Sequence, residues 1–339
     1  MDEARTGQGR TDQAGTDQAR TAPARTGRAR RAFRFGVVGE SIRSGAELAA
    51  TARRAEDLGY SALVLRDHFA AEPFGDQLAP MVALASAAAA TSTLRVGTMV
   101  LCNDYRHPVM LAKEAATLDH LSGGRFELGV GAGWLREEYE SAGMPFEAAG
   151  VRVGRLEESL RILRSLLSGD KTTFAGEHYR VDGLTVFPRP ERRPPLAVGA
   201  GSRRMLGIAG RLADTVGILP RALPDGTISE EITERLPDAI ERKVGWVREA
   251  AAGRDVELSM LVTPTFGPDP RRAAAKVAVT RGWGTASTDL VLEMPSQFVG
   301  PPEHIAEQML ARRDRYGFTY YQVPDAAMDA FAPVIAHLA

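Results

Sequence analysis

With 339 residues, 44% of them hydrophobic and 25% charged, and a formal net charge of -1, the chain has the composition of a soluble globular protein of one or two domains. The near-neutral balance gives no electrostatic footing for nucleic acid or an anionic membrane surface. One cysteine, Cys102, excludes an intrachain disulfide and fits a reducing, cytoplasmic setting. No apolar run approaches the roughly 20 residues that cross a bilayer.

Residues 1–31, "MDEARTGQGRTDQAGTDQARTAPARTGRARR", repeat Arg-Thr, Asp-Gln and Ala with almost no large apolar side chain. Such a segment buries too little surface to offset its ordering entropy and is expected to be a disordered tail. Residues 32–339 are expected to form the folded domain. From Phe33 a rhythm of strand and helix sets in. "FRFGVV" is a short apolar strand, and "GAELAATARRAEDLGY" an amphipathic helix stopped by Gly59. "SALVLRDH" and "QLAPMVALASAAAATS" form the second unit, and "LRVGTMVL" with "HPVMLAKEAATLDHLSGG" the third. "RFELGVGAG" is the fourth strand, followed by the long helix "VGRLEESLRILRSLLSG".

Then the rhythm stutters. Residues 172–195, "TTFAGEHYRVDGLTVFPRPERRPP", predict a hairpin and a proline-rich return inserted before the fifth strand. "PLAVGAGS" leads into a helix ending near Arg211, "ADTVGIL" is a sixth strand, and "LPDAIERKVGWVREAAAG" its helix. "VELSMLVTPT" is a seventh strand, "HIAEQMLARRDRYG" the next helix, "FTYYQV" the eighth strand, and "AAMDAFAPVIAHL" the last helix. Apolar strands alternating with helices predict parallel βα units. Eight of them predict an α/β fold of the closed (β/α)8 TIM-barrel type. An open dinucleotide-binding sheet would carry G-x-G-x-x-G after its first strand, where this chain has "GVVGES".

Barrel enzymes place reactive groups at the C-terminal ends of their strands. That rule selects Asp67 and His68 after strand two, Asn103 and Asp104 after strand three, Gly131 to Trp134 after strand four, and Gly199 to Ser202 after strand five. All four clusters are expected to rim one cavity, with His107 near it or capping the third helix. Taken singly, Asp67-His68 also reads as a capped strand end, and each glycine run as a tight turn. A glycine-rich turn that opens a helix nevertheless presents backbone N–H groups suited to a phosphate. No Ser-His-Asp order, zinc spacing or Walker loop is present, so metal-dependent, hydrolase and NTPase chemistries are not expected.

Together, "RDHF" (66–69), "VGTMVL" (96–101), "RHPVMLAKEAATLDHLSGGRFELGVGAGW" (106–134), "VGAGS" (198–202) and "FVGPPEHIAEQM" (298–309) resemble the luciferase-like flavin and deazaflavin oxidoreductases, particularly their F420-dependent branch. The resemblance covers residues 33 to about 323. It implies that His68 stands beside the reactive face of the cofactor ring, orienting substrate or exchanging a proton. It also implies that Asp67 contacts the ring or fixes the histidine. Met99 and Val100 match a strand-three bulge with a non-proline cis peptide that supports the ring. Ala132 and Gly133 are implied to line the ring or its ribityl side, and Gly199, Ala200, Gly201 and Ser202 to hold the cofactor phosphate.

Departures narrow the substrate. The glucose 6-phosphate-oxidising branch carries a catalytic glutamate where Trp134 stands here, and a tryptophan where Glu72 stands. Its phosphate-binding lysines have no counterpart, so sugar-phosphate oxidation is not expected. The resemblance favours coenzyme F420, an obligate hydride carrier, over FMN, which would make the chain a two-component monooxygenase. A non-catalytic cofactor-binding relative is the third reading, and would have a plugged pocket above His68. A small organic substrate is the expected partner, with a homodimer left open. Substrate contacts are expected from the insertion at 172–195 and from the loops after strands six and seven.

Overall fold

A computed structural model of the protein describes residues 31–40, 42–70 and 74–339. Apart from Arg31, the expected tail lies outside the described residues, as does Glu72.

Eight strands carry the fold: β1 (Arg34–Gly39), β2 (Ala62–Leu65), β3 (Arg95–Thr98), β4 (Phe126–Gly131), β5 (Leu196–Ala200), β6 (Thr215–Ile218), β7 (Glu257–Leu261) and β8 (Phe318–Pro324). Each pairs in parallel with the next, and β8 pairs with β1, which closes the ring. Val37 thus sits opposite Leu63 on one side and Val323 on the other. The apolar runs become strands buried on both faces, as parallel strands under a helical shell must be. All four residues of β2 and all six of β4 are buried. The chain is a (β/α)8 barrel.

The helices form where the sequence caps them. Ser44 Oγ accepts from the Glu47 amide at the start of helix Gly45–Asp57, which buries Leu48, Ala52 and Ala55. Pro108 opens helix Pro108–Leu121, and His107 caps it by accepting from the Val109 amide through Nδ1 (3.3 Å). Gly123 and Gly124 close it in left-handed conformations, φ 65° and 80°.

Two insertions depart from the plain barrel. The first is the hairpin read from the sequence, Thr172–Ala175 paired antiparallel with Arg180–Leu184. Glu158 holds its turn, accepting from the amides of Glu177 (2.7 Å), His178 (3.0 Å) and Tyr179 (3.0 Å). The second follows β7, where the sequence reading placed only a loop before the next helix. Strands Thr265–Phe266 and Val299–Gly300 pair in parallel and enclose helices Pro270–Thr280 and Thr288–Glu293. Ala274, Val277, Val291, Met294 and Val299 give this insertion a small core of its own. Ile232, Leu236 and Trp283 pack on it, tying the loop after β6 to the insertion after β7.

Inside the barrel the N-terminal end is closed by charge. Arg34 reaches Glu127 (2.6 Å) and Glu257 (3.1 Å), Arg95 also pairs with Glu127, and the Arg34 guanidinium lies 4.4 Å from the Tyr320 ring centre. Glu127, Thr215 and Tyr320 line the cavity above, so this network is its floor.

Candidate active site

A cavity of about 950 Å³ opens at the C-terminal ends of the strands. Asp67, His68, Met99, Val100, Ala132, Gly133, Gly199, Ala200, Gly201 and Ser202 all line it. Asn103, Asp104 and His107 do not. Asn103 Nδ2 donates to the Tyr179 hydroxyl (3.3 Å), Asp104 pairs with Arg155 (2.9 Å), and His107 is the cap described above. The hairpin at 172–184 also stays off the cavity, because Glu158 and the ring contact between Tyr179 and His107 (5.3 Å) hold it against the outside of the barrel. The loop after β6 and the insertion after β7 do contribute, through Thr227, Arg235, Arg281 and Gln297 among others.

The "RDHF" turn is fixed by residues distant in sequence. Asp67 is buried; its carboxylate takes both ends of the Arg106 guanidinium (2.5 and 2.9 Å) and the Cys102 amide (3.0 Å). Among the described residues it makes no hydrogen bond to His68, so it fixes the turn and the strand-three bulge rather than the imidazole. The histidine's partner is Glu138, which sequence reading missed. Glu138 Oε2 lies 3.1 Å from His68 Nδ1 and accepts from the Tyr105 hydroxyl (3.2 Å). Its Oε1 accepts from the amides of Phe69 (2.5 Å) and Ala70 (3.0 Å). One carboxylate on the short helix Arg136–Ser141 therefore holds the imidazole and the turn behind it.

With a carboxylate at Nδ1, that nitrogen carries the proton and neutral His68 keeps its lone pair on Nε2. Nε2 has no protein partner among the described residues, and His68 lines the cavity. Phe74 stacks on the imidazole at 4.4 Å and Trp134 meets it edge-on at 6.0 Å. Behind Phe74, Arg66 covers the ring at 4.4 Å and pairs with Glu40. Burial raises the Glu40 carboxyl above its ordinary range, against the pull of Arg66, and burial lowers Arg66.

The peptide between Met99 and Val100 is cis. The strand then resumes, Leu101 and Cys102 pairing with Val130 and Gly131 of β4. Cys102 is no reactive thiolate: burial pushes it up to about 12, and its Sγ lies 3.1 Å from the Tyr139 hydroxyl. Gly133 sits at φ 72°, and a Cβ there would fall 1.9 Å from that hydroxyl, so only glycine fits.

At the other end, Ser202 Oγ accepts from the Met205 amide (3.4 Å) and caps helix Arg203–Leu212. The amides of its first turn have no intrahelical acceptor. Arg204 donates to the Gly150 carbonyl (3.1 Å), joining this turn to the start of helix Ala149–Leu167. Three residues on, the buried Arg152 lines the cavity with its Nε unpartnered. A helix start beside a buried guanidinium with an open donor fits a phosphate. The cavity that joins this end to His68 fits a ribityl chain and tricyclic ring. His68 lines the cavity, which favours an accessible imidazole over the plugged pocket expected of a non-catalytic relative.

Comparison with known proteins agrees with this arrangement. Residues 30–331 match the family model described as luciferase-like monooxygenase. The chain belongs to the luciferase-like family. It is 32% identical over 260 residues to an F420-dependent glucose-6-phosphate dehydrogenase of Kineococcus radiotolerans, covering 76% of this chain and 73% of that relative. An FMNH(2)-dependent dimethylsulfone monooxygenase of Pseudomonas fluorescens is 36% identical over 126 residues, 37% of this chain and 34% of the relative. Among solved structures, the coenzyme F420-dependent tetrahydromethanopterin reductase of Methanopyrus kandleri superposes with a TM-score of 0.70 at 20% identity. It covers 91% of this chain and 100% of that one. The luciferase-like chain is therefore an oxidoreductase of a flavin- and deazaflavin-binding family. Among the described residues no helix is long and apolar enough to cross a membrane, and no cluster of His, Cys, Asp and Glu could hold a metal.

Proposed function

We propose that the protein uses coenzyme F420 to pass a hydride to or from a small organic substrate, with His68 as the proton-transfer group. The observation that carries this reading is the His68–Glu138 pair (3.1 Å) at the wall of the large cavity, with Nε2 left to the cavity. When bound, F420 supplies a two-electron hydride carrier that behaves like a nicotinamide. In substrate oxidation, Nε2 takes the hydroxyl proton as the hydride leaves, and Glu138 offsets the imidazolium charge. In reduction the same imidazolium returns the proton. Phe74 and Trp134 keep that exchange out of bulk water.

Asp67 and His68, with Met99, Val100, Ala132 and Gly133, would hold the ring, while Gly199 to Ser202 and Arg152 would hold the phosphate. The similarity to F420-dependent relatives, over about three quarters of the chain in the relative above, supports this choice of cofactor. Their sugar phosphate is not carried over, because Trp134 forms the wall beside His68 where that branch places its glutamate. The FMNH(2)-dependent relative supports a second reading, a two-component monooxygenase on the same scaffold.

Quenching of cofactor fluorescence by the purified protein decides between them. F420 is expected to bind at least tenfold more tightly than FMN, a gap of about 1.4 kcal/mol. Equal or reversed affinities would promote the monooxygenase.

A further inference from the structure

The mouth of the cavity holds a second cationic position that the cofactor reading does not use. Arg235 ends the short helical turn Ile232–Arg235 in the loop after β6, and Arg281 follows helix Pro270–Thr280 in the insertion after β7. Both line the cavity. The Arg235 side chain is 11% exposed. Its NH2 edge pairs with Glu230 (3.0 Å), but its NH1 is buried and has no hydrogen-bond partner. Leaving a buried, charged donor without an acceptor is costly, and neighbouring Arg281 adds like charge. Two other nearby cations are already satisfied: Lys243 donates to the Leu219 carbonyl (2.8 Å) and Glu234 (3.1 Å), and Arg221 pairs with Glu234. Arg235 is also held in place. Its guanidinium lies 5.7 Å from the Trp283 ring centre, and Trp283 Nε1 donates to the Glu230 carbonyl (3.3 Å).

We infer that Arg235 and Arg281 bind the carboxylate of the substrate, and that the substrate class is a small organic monocarboxylic acid. This rests on the reading of the cavity as a cofactor and substrate site. A monoanion fits better than a phosphate dianion, because Glu230 and Glu234 also line this end and would repel a second charge. A planar carboxylate matches an open guanidinium edge. Ile228, Ala222 and Leu261 supply apolar wall for the body of such a molecule. Arg152, which lies against Phe146, and the Ser202 turn answer the cofactor phosphate separately.

The alternative source of the same chemistry is the acidic tail of the cofactor, and the test separates the two. Full-chain protein is titrated by calorimetry with cinnamate, benzoate and 3-phenylpropionate, each paired with its methyl ester. At least one acid is expected to bind about tenfold more tightly than its ester. Arg235→Met should remove that preference and Arg235→Lys should recover part of it. Equal binding of acid and ester, a preference that survives Arg235→Met, or no acid bound at ~10 mM would overturn the inference. In the second arm, F420 preparations with short and long tails are titrated by fluorescence. Arg235→Met is expected to bind both as the wild type does. A loss that grows with tail length would assign the arginines to the cofactor and overturn the substrate class. Failure of F420 to bind wild-type protein would sink the cofactor reading alone, since the acid–ester comparison needs no cofactor.

Discussion

The two ends of the cavity differ in the partners that their charges find. Beside His68 each ionic group has a partner of opposite character inside the protein, Asp67 with Arg106, Glu40 with Arg66 and the imidazole with Glu138, although Arg66 keeps its Nε buried without an acceptor. At the mouth, Arg235 relies on Glu230, whose side chain is 66% exposed, and keeps one buried donor open. A paired, buried end is preorganised and keeps its geometry before anything binds. An end with an unspent charge is complete only with a ligand. On the proposed reading, the contrast separates residues that do the common chemistry from residues that choose what undergoes it.

The largest effect expected from breaking that contrast is on rate. His68→Ala should depress the chemical step by ~10²–10⁴-fold while leaving F420 affinity within a few fold, measured by single-turnover oxidation of bound F420H2 with a panel of electron acceptors. Glu138→Gln should slow the same step, and that loss should vanish in the His68→Ala background if the carboxylate acts through the imidazole. Independent, additive losses would make Glu138 merely structural.

A smaller effect is expected on stability, with opposite signs at the two ends. Glu138→Ala strands the buried donors it now satisfies and should lower Tm by about 5 °C or more. Arg235→Met replaces an incompletely paired buried cation by an apolar chain of similar length. It should leave Tm unchanged or raise it by ~1–2 °C. A matching drop in both variants would erase the distinction between the ends.

The smallest effect tests whether such pairing is confined to the catalytic face. At the opposite face, before β3, Glu56 accepts from the amides of Ser92 (2.9 Å), Thr93 and Leu94 (2.8 Å). Those bonds, Thr93's foremost, lower its carboxyl from 4.5 to about 2. A depressed folded-state pKa stabilises above the unfolded value and loses that contribution as pH falls through the folded one. Glu56→Gln should therefore cost about 2 °C at pH 7, and the gap should close between about 4.5 and about 2. A gap independent of pH would mean that the carboxylate charge contributes nothing.

The barrel was legible because its signal is local. Runs such as "ALVL" and "FELGVG" are buried on both faces, and Gly59, Gly123 and Gly124 stop helices where the sequence places them. Of the twelve residues chosen by the strand-end rule, ten line the cavity, because a closed barrel brings every strand end to one face, while Asn103 and Asp104 turn away to Tyr179 and Arg155. Glu138 was not legible. It sits in "REEYES", which reads as an acidic surface turn, and its partner lies 70 residues away. The insertion after β7 was read only as a loop, although Asp269 and Pro270 cap its first helix. Its buried stripe of Ala273, Ala274, Val277 and Ala278 was too small-sided to stand out as a core.

Gly201 carries a consequence for anyone altering this enzyme's selectivity. A Cβ on it would land 2.2 Å from the Pro220 carbonyl oxygen, so the turn proposed to hold the phosphate and the root of the loop bearing Arg235 meet backbone to backbone. The two behave as parts sharing a hinge pin: a bulkier residue at 201 is expected to shift the loop bearing Arg235, and a graft that moves Pro220 is expected to disturb the turn proposed to hold the cofactor. Loop libraries for new substrates should hold Leu219 and Pro220 constant and diversify from Arg221 onward.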